Sequence, residues 1–97
     1  MLARRAADTI LACRNAVKGE AAAAQMTAAA PGATVSVVRL DLASLDSVRA
    51  AAAEILAGHQ RLDPLINNAG LMWPAYGTTA EGFELQFGTN HLGYFAL

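Results

Sequence analysis

Alternating apolar and alanine-rich blocks along the chain predict a β-α-β-α order of elements. Residues 9–13 form a short apolar run that is typical of a buried parallel strand. A helix is predicted over residues 16–30, because Asn15 is a good N-cap and Pro31-Gly32 stops the helix. The valines of residues 34–40 predict a second strand.

The same pattern continues after residue 43. Ser44 is the predicted N-cap of a second helix, and Gly58 is expected to end that helix in a left-handed conformation. The apolar positions of this helix fall on one face, at Leu45, Val48, Ala52 and Ile55. Residues 62–67 predict a third short strand, with Pro64 at its entrance or on an unpaired side because proline cannot donate to a ladder.

A final helix is predicted after a loop over residues 68–77. Thr78 and Glu81 have the spacing of a capping box, which would open a helix that runs to Leu97. Three glycines fall in this helix although each costs about 1 kcal/mol relative to alanine: Gly82, Gly88 and Gly93. Such glycines indicate close approach of the backbone to another helix or to a ligand. Residues 1–7 resemble the last turns of a helix, and the final helix reaches Leu97 without a stop signal, so both ends of the chain are interpreted as cut.

Composition narrows the class of protein. The 97 residues are 55% hydrophobic and 15% charged, with a formal net charge of −1, which excludes a disordered chain and argues against a nucleic-acid partner. The single cysteine, Cys13, excludes an internal disulfide and a cysteine-based zinc site. The uncharged run over residues 21–38 is interrupted by Pro31-Gly32, so no membrane segment is expected. The sequence predicts a single cytoplasmic α/β domain over residues 1–97 without a metal site.

Polar residues follow each predicted strand, where parallel sheets bind their ligands. Arg14 and Asn15 follow the first strand, and the Arg14 guanidinium suits either a ribose 2′-phosphate or plain solvation. Asp41 follows the second strand and suits either an adenine amino group or a cap of the next loop. The Asn-Asn-Ala-Gly run at 67–70 combines amides that join strand ends with small residues that admit a nucleotide.

Four segments together resemble the short-chain dehydrogenase/reductase family, in particular its retinol-dehydrogenase-like and protochlorophyllide-reductase-like members. They are TILACRN at 9–15, LDLASL at 40–45, LINNAG at 65–70 and GFELQFGTNHLG at 82–93. The resemblance covers nearly the whole chain. It implies a partial Rossmann-type fold, a doubly wound parallel sheet that lacks its first strand and its C-terminal half.

The resemblance implies that most of the polar residues after the predicted strands contact the cofactor. Arg14, beside Asn15, takes the position that selects NADP over NAD, and Asp41 takes the position that contacts adenine, with Leu42 alongside. The segment that lines the cofactor ribose and stabilises the sheet corresponds to Asn67, Asn68, Ala69 and Gly70.

Asn90 takes the position of the asparagine of the family's catalytic tetrad. Its backbone carbonyl is expected to hold a water that extends the proton relay from the catalytic lysine. The simpler alternative is a polar residue in a packed helix contact beside Phe83, Phe87 and Tyr94. Asn90 also sits at a position where its side chain can support a local distortion of the helix.

The chain departs from the family pattern in several places. These 97 residues contain no glycine-rich phosphate loop before Asn15, no downstream catalytic serine and no Tyr-x-x-x-Lys pair, since Tyr94 is not followed by a residue 98. Pro64 stands where an aliphatic residue is expected. The chain is therefore interpreted as an internal slice of a longer enzyme or as a truncated gene product.

The leading hypothesis is a fragment of an NADP-dependent oxidoreductase that moves hydride between nicotinamide and a small-molecule carbonyl or alcohol. The isolated chain is expected to be inactive, and homo-oligomerisation of a full-length form is left open. One alternative is a non-catalytic binding or interaction piece. Another is a fragment of a Rossmann-like methyltransferase, which would carry a glycine-rich turn after the first strand and would not need the Asn-Asn-Ala-Gly run.

Overall fold

The computed structural model of the chain describes residues 8–97. The helical turns predicted over residues 1–7 lie outside the described residues. The chain divides into two compact units, Met1–Leu40 and Asp41–Leu97. Among the described residues, no helix is both long enough and apolar enough to span a bilayer.

The first unit is a β-α-β unit. Strand β1 (Asp8–Cys13) and strand β2 (Thr34–Arg39) pair in parallel, with Asp8 opposite Thr34 and Cys13 opposite Arg39. Helix α1 (Ala16–Ala29) connects them, and the Asn15 side chain accepts a hydrogen bond from the Lys18 N–H at 3.0 Å. The two predicted strands, the helix and its cap are confirmed to within a residue at each end.

Helix α1 packs closely on the sheet at Gly19. A Cβ atom at this position would lie 2.5 Å from Cys13 Sγ and 2.9 Å from Val37 Cγ1, both closer than real Cβ contacts allow. The buried apolar side chains of the unit are Ala23 of α1, Ala30 at its C-cap, Val38 of β2 and Leu40 directly after β2. The unit confirms the predicted α/β class with a parallel sheet.

The second unit begins with a turn and helix α2 (Leu45–Gly58). The predicted cap is confirmed, because Ser44 Oγ accepts from the Ser47 N–H at 3.3 Å. Val48 lies on the buried face as predicted, with Ala51 rather than Ala52 as its buried neighbour. The left-handed ending predicted at Gly58 is wrong: Gly58 is the last helical residue, and the helix ends at His59, in extended conformation.

The third predicted strand, over residues 62–67, does not form. The described residues contain one sheet of two strands, and residues 61–70 are all exposed without regular secondary structure. A strand exists only where a neighbour satisfies its backbone groups. Pro64 also has no N–H to donate. The apolar character of 62–67 therefore predicted a strand that has no pairing partner among residues 8–97.

A helix follows as predicted, but it begins later. It consists of α3 (Leu85–Phe87), a π-helical turn (Gly88–Leu92) and α4 (Gly93–Ala96), called here the Asn90 helix. The predicted capping box of Thr78 and Glu81 is wrong. Residues 78–84 instead form a turn closed by a bridge between Thr78 and Glu84, with Gly82 at φ +86°.

Glu84 is the actual N-cap of the Asn90 helix. Its carboxylate accepts from the N–H groups of Gln86, at 3.0 Å, and Phe87, at 2.8 Å. These bonds favour the ionised form, so they hold the pKa of Glu84 below its ordinary value. The cap satisfies two of the free N–H groups at the start of the helix.

Two glycines bring the Asn90 helix close to its neighbours, as the sequence predicted. A Cβ at Gly88 would overlap the Thr79 side chain, and a Cβ at Gly93 would lie 2.5 Å from the Leu42 carbonyl oxygen. The predicted aromatic packing is not seen, because Phe83 and Phe87 are 42% and 52% exposed. Gly82 precedes the helix rather than lying in it.

Candidate functional site

A cleft of about 660 Å³ lies in the second unit. The Asn-Asn-Ala-Gly run and the Asn90 helix form its walls, so the structure brings together two segments that the sequence singled out separately. Its lining residues are Asn67, Asn68, Ala69, Gly70, Leu71, Met72, Asn90, His91, Tyr94 and Phe95.

The Asn90 side chain holds the backbone of Leu71. Asn90 Oδ1 accepts from the Leu71 N–H at 2.7 Å, and Asn90 Nδ2 donates to the Leu71 carbonyl at 2.7 Å. The primary amide thus pairs with one residue as a neighbouring β-strand would. Because both its polar atoms are used in this way, the side chain fixes the position of the cleft wall.

Tyr94 holds the same wall one helical turn further on. Its hydroxyl donates to the Ala69 carbonyl at 2.6 Å. Between these two attachments, a Cβ at Gly70 would lie 3.3 Å from Asn90 Oδ1, so the absence of a side chain permits the close approach. The backbone of residues 69–71 is therefore held at both of its ends, at Ala69 by Tyr94 and at Leu71 by Asn90, with Gly70 between them.

The π-helical turn confirms the local distortion expected at Asn90. Here the Gly93 N–H donates to the Gly88 carbonyl, five residues earlier instead of four. Such turns widen the helix and occur frequently at functional sites. The role of the Asn90 carbonyl in a proton relay stays a prediction.

Several cleft residues were not predicted from the sequence. Leu71, Met72 and Phe95 had no recognisable signal, since only the fold brings them to the cleft. His91 stands in the quoted segment at 82–93 but was not singled out as a site residue. The i, i+4 spacing of Asn90 and Tyr94 does place both on one helix face, and this signal could have identified Tyr94. His91 stacks on Phe87 with ring centroids 5.3 Å apart.

The turn formed by residues 41–45 is also in the second unit. Asp41 Oδ1 accepts from the Ala43 N–H at 3.0 Å, and the Asp41 N–H donates to Ser47 Oγ at 2.9 Å. Leu42 is buried beside Gly93. The local cap that was one interpretation of Asp41 is thus present. Its second carboxylate oxygen leaves an acceptor for a donor such as an amino group.

Arg14 and Asn15 belong to the first unit and directly follow β1. Arg14 is exposed. Asn15 Oδ1 is used as the cap of α1, and the Asn15 carbonyl accepts a weak hydrogen bond from Cys13 Sγ at 3.4 Å. The Asn15 amide nitrogen has no part in this cap and leaves a donor for a cofactor contact.

The sequence model of the short chain dehydrogenase family matches residues 1–97. The chain belongs to the short-chain dehydrogenase family. The predicted resemblance and the Rossmann-type α/β fold class are confirmed, and the match decides against the methyltransferase alternative.

Curated members of the family match almost the whole chain. Human retinol dehydrogenase 13 is 51% identical over 96 residues, which are 99% of this chain and 29% of that protein. Retinol dehydrogenase 12 from Mus musculus is 48% identical over 96 residues, 99% of this chain and 30% of that protein. The chain thus spans about 30% of the length of these relatives.

Two solved structures also match. An uncharacterized protein from Mycobacterium Paratuberculosis aligns with a TM-score of 0.81 and 50% identity over 99% of this chain and 32% of that one. A short-chain dehydrogenase from Sphingobium yanoikuyae in complex with NADPH aligns with a TM-score of 0.77 and 30% identity, over 98% of this chain and 37% of that one.

The residues of the second unit fit part of a dinucleotide. Residues 67–70 are exposed along one cleft wall, and two of the four, Ala69 and Gly70, offer backbone with little or no side chain. Small residues of this kind allow a nucleotide to approach backbone N–H and carbonyl groups. Asp41 adds an oriented carboxylate, so the donor and acceptor set suits ribose hydroxyls and an adenine amino group.

Proposed function

We propose that this chain is the cofactor-binding segment of an NADP(H)-dependent oxidoreductase that interconverts an alcohol and a carbonyl compound. The observation that supports this most is the exposed backbone of residues 69–71, which Asn90 and Tyr94 hold in place along one wall of the cleft. A fixed polar backbone beside an open cleft binds a ribose without the cost of first ordering a mobile loop.

Each polar residue has a separate part in the proposal. Residues 67–70 bind the ribose next to the nicotinamide, and Asp41 with Leu42 binds the adenine. Arg14 supplies the guanidinium for the 2′-phosphate, and a planar fork of donors suits a phosphate well. Bound NADP(H) would supply the hydride chemistry, while the Asn90 carbonyl would hold a water of the proton relay.

The curated relatives are named retinol dehydrogenases, and this name indicates a class of substrate for this chain. We propose an alcohol or aldehyde with a large apolar part, because Leu71, Met72 and Phe95 place apolar side chains along the cleft. The isolated chain is proposed to be inactive, since its 97 residues contain no Tyr-x-x-x-Lys pair to donate the proton.

The test is a chimera in which residues 1–97 replace the matching 29% of human retinol dehydrogenase 13. We expect the chimera to reduce retinal with NADPH more efficiently than with NADH, and the 97-residue chain alone to show no turnover. Arg14→Asp should shrink or reverse the preference, because the carboxylate repels the 2′-phosphate. Arg49→Asp, which changes an exposed arginine on α2, is the matched control and should leave the ratio of the two kcat/KM values unchanged.

Two results would contradict the proposal. Equal efficiency with NADPH and NADH before and after Arg14→Asp would show that Arg14 is a surface residue without a role in cofactor choice. A folded chimera that binds neither cofactor, although native retinol dehydrogenase 13 binds in the same assay, would favour the alternative of a non-catalytic binding or interaction piece.

A further inference from the structure

Residues 80 and 81 contact the 41–45 turn across a long stretch of sequence. The Ala80 N–H donates to the Ala43 carbonyl at 3.0 Å. The Glu81 carboxylate accepts from the Leu45 N–H at 2.6 Å, a bond between residues 36 positions apart. The Asp41–Leu45 region is thus fixed by a loop that precedes the Asn90 helix, in addition to its own helix cap.

The Glu81 contact lies at the N-terminus of α2, where four N–H groups have no partner within the helix. Ser44 satisfies the Ser47 N–H, and Glu81 satisfies that of Leu45, the first helical residue. A carboxylate at this end also interacts favourably with the helix dipole. Charge-assisted bonds of this kind are roughly twice as strong as neutral ones.

Asp41 is connected to the segment of Ala80 and Glu81 through Ala43. The N–H and the carbonyl of Ala43 both form hydrogen bonds. The N–H donates to Asp41 Oδ1 at 3.0 Å, and the carbonyl accepts from the Ala80 N–H. The position of Ala43 sets which way the Asp41 carboxylate points. Displacing residues 80 and 81 from the turn would therefore release the Asp41 carboxylate from its present orientation.

We propose that Glu81 is a positioning residue for the adenosine end of the cofactor. Its carboxylate holds the 41–45 turn in the shape in which Asp41 and Leu42 meet adenine, without touching the cofactor itself. This inference rests on the proposed function, because it assumes that the turn binds adenine. It assigns a role to a side chain that the sequence had placed in a capping box with Thr78.

The experiment compares four forms of the full 97-residue chain by NMR. They are the parent, Glu81→Ala, Glu81→Gln, which keeps an acceptor oxygen, and the control Glu54→Ala, which removes an exposed glutamate from the middle of α2. The first readout is amide hydrogen exchange at Leu45 and Ala43. The second is titration with adenosine 2′,5′-bisphosphate, followed at the amides of Asp41 and Leu42, with nicotinamide mononucleotide as the comparison probe.

Glu81→Ala should speed exchange at Leu45 and weaken adenosine 2′,5′-bisphosphate binding about tenfold, the effect of one charge-assisted bond. Nicotinamide mononucleotide binding should stay unchanged in all four forms. Glu81→Gln should recover most of the lost affinity, and Glu54→Ala should behave like the parent. A general loss of structure would instead weaken both probes together and would not be rescued by glutamine.

Failure of the proposed role of Glu81 can be distinguished from failure of the proposed function. Unchanged exchange at Leu45 in Glu81→Ala, or unchanged affinity for adenosine 2′,5′-bisphosphate in a parent that binds it, overturns the role of Glu81 alone. A parent that binds neither probe contradicts the proposed function. In that case exchange at Leu45 and Ala43 still decides whether Glu81 holds the turn.

Discussion

Replacing Gly93 by alanine tests how tightly the Asn90 helix packs on the 41–45 turn. The added Cβ would lie 2.5 Å from the Leu42 carbonyl oxygen, 3.0 Å from Leu42 Cβ and 3.2 Å from the Leu42 carbonyl carbon. Two of these atoms belong to the backbone, so no rotation of a side chain relieves the contact. Either the helix or the turn must move to reach the ordinary contact distance of 3.4 Å or more.

Two opposing effects determine whether Gly93→Ala raises or lowers the free energy of unfolding. Overpacking costs about 1–3 kcal/mol, and the upper part of that range applies where backbone must move. Alanine recovers about 1 kcal/mol of helix propensity relative to glycine. The net destabilisation is therefore about 1–2 kcal/mol, which lowers Tm by roughly 5–15 °C in a domain of this size.

Gly58→Ala is the matched control. Gly58 is the last residue of α2, and a Cβ there meets nothing within 4 Å. This change should stabilise the chain by about 0.4–1 kcal/mol, because alanine restricts the unfolded chain. Urea and thermal unfolding followed by circular dichroism measure both changes. A Gly93→Ala chain as stable as the parent, or a Gly58→Ala chain destabilised by a similar amount, would refute the packing argument.

Two further predictions concern the Asn90 helix. In the chimera, Asn90→Leu keeps the backbone carbonyl of the relay but removes the side chain that supports the local distortion around it, so kcat should fall at least about tenfold. NADPH affinity should change less than about threefold, because Tyr94 still holds Ala69. Parental turnover, or loss of NADPH binding before turnover, would contradict this. The depressed pKa of Glu84 makes its cap pH-dependent: its stabilisation is fully present above the ordinary value of 4.5 and is lost as the pH falls through the lower folded-state value. The Phe87 amide shift should follow this titration, and a Glu84→Gln chain that keeps the same dependence would refute it.

Local signals accounted for most of the fold. The β-α-β unit, the cap at Asn15 and the cap at Ser44 each depend on residues within a few positions of one another, and all three formed as predicted. The third strand depends on a distant partner, and residues 62–67 lack one among residues 8–97. Composition and periodicity describe how well a segment suits a strand, but pairing decides whether the strand exists.

The site residues that lie in family motifs could be predicted from the sequence. The roles of residues that depend on long-range contacts could not. The sequence identified residues 67–70 and Asn90, which the structure places around one cleft. It did not identify Leu71, which is recognised by Asn90 through backbone atoms that every residue has. Glu81 was misassigned for a similar reason. Its local spacing from Thr78 suits a capping box, yet its carboxylate binds the Leu45 N–H, 36 positions away.

A crystal structure of the chimera with NADPH would show directly whether residues 67–70 and Asp41 bind the cofactor. We predict that a cofactor ribose lies within hydrogen-bond distance of residues 67–70. We also predict that the adenine amino group donates to the Asp41 carboxylate and that Asn90 still holds Leu71. A cofactor that lies away from both the 67–70 segment and Asp41 would contradict the proposal that these residues form its binding site.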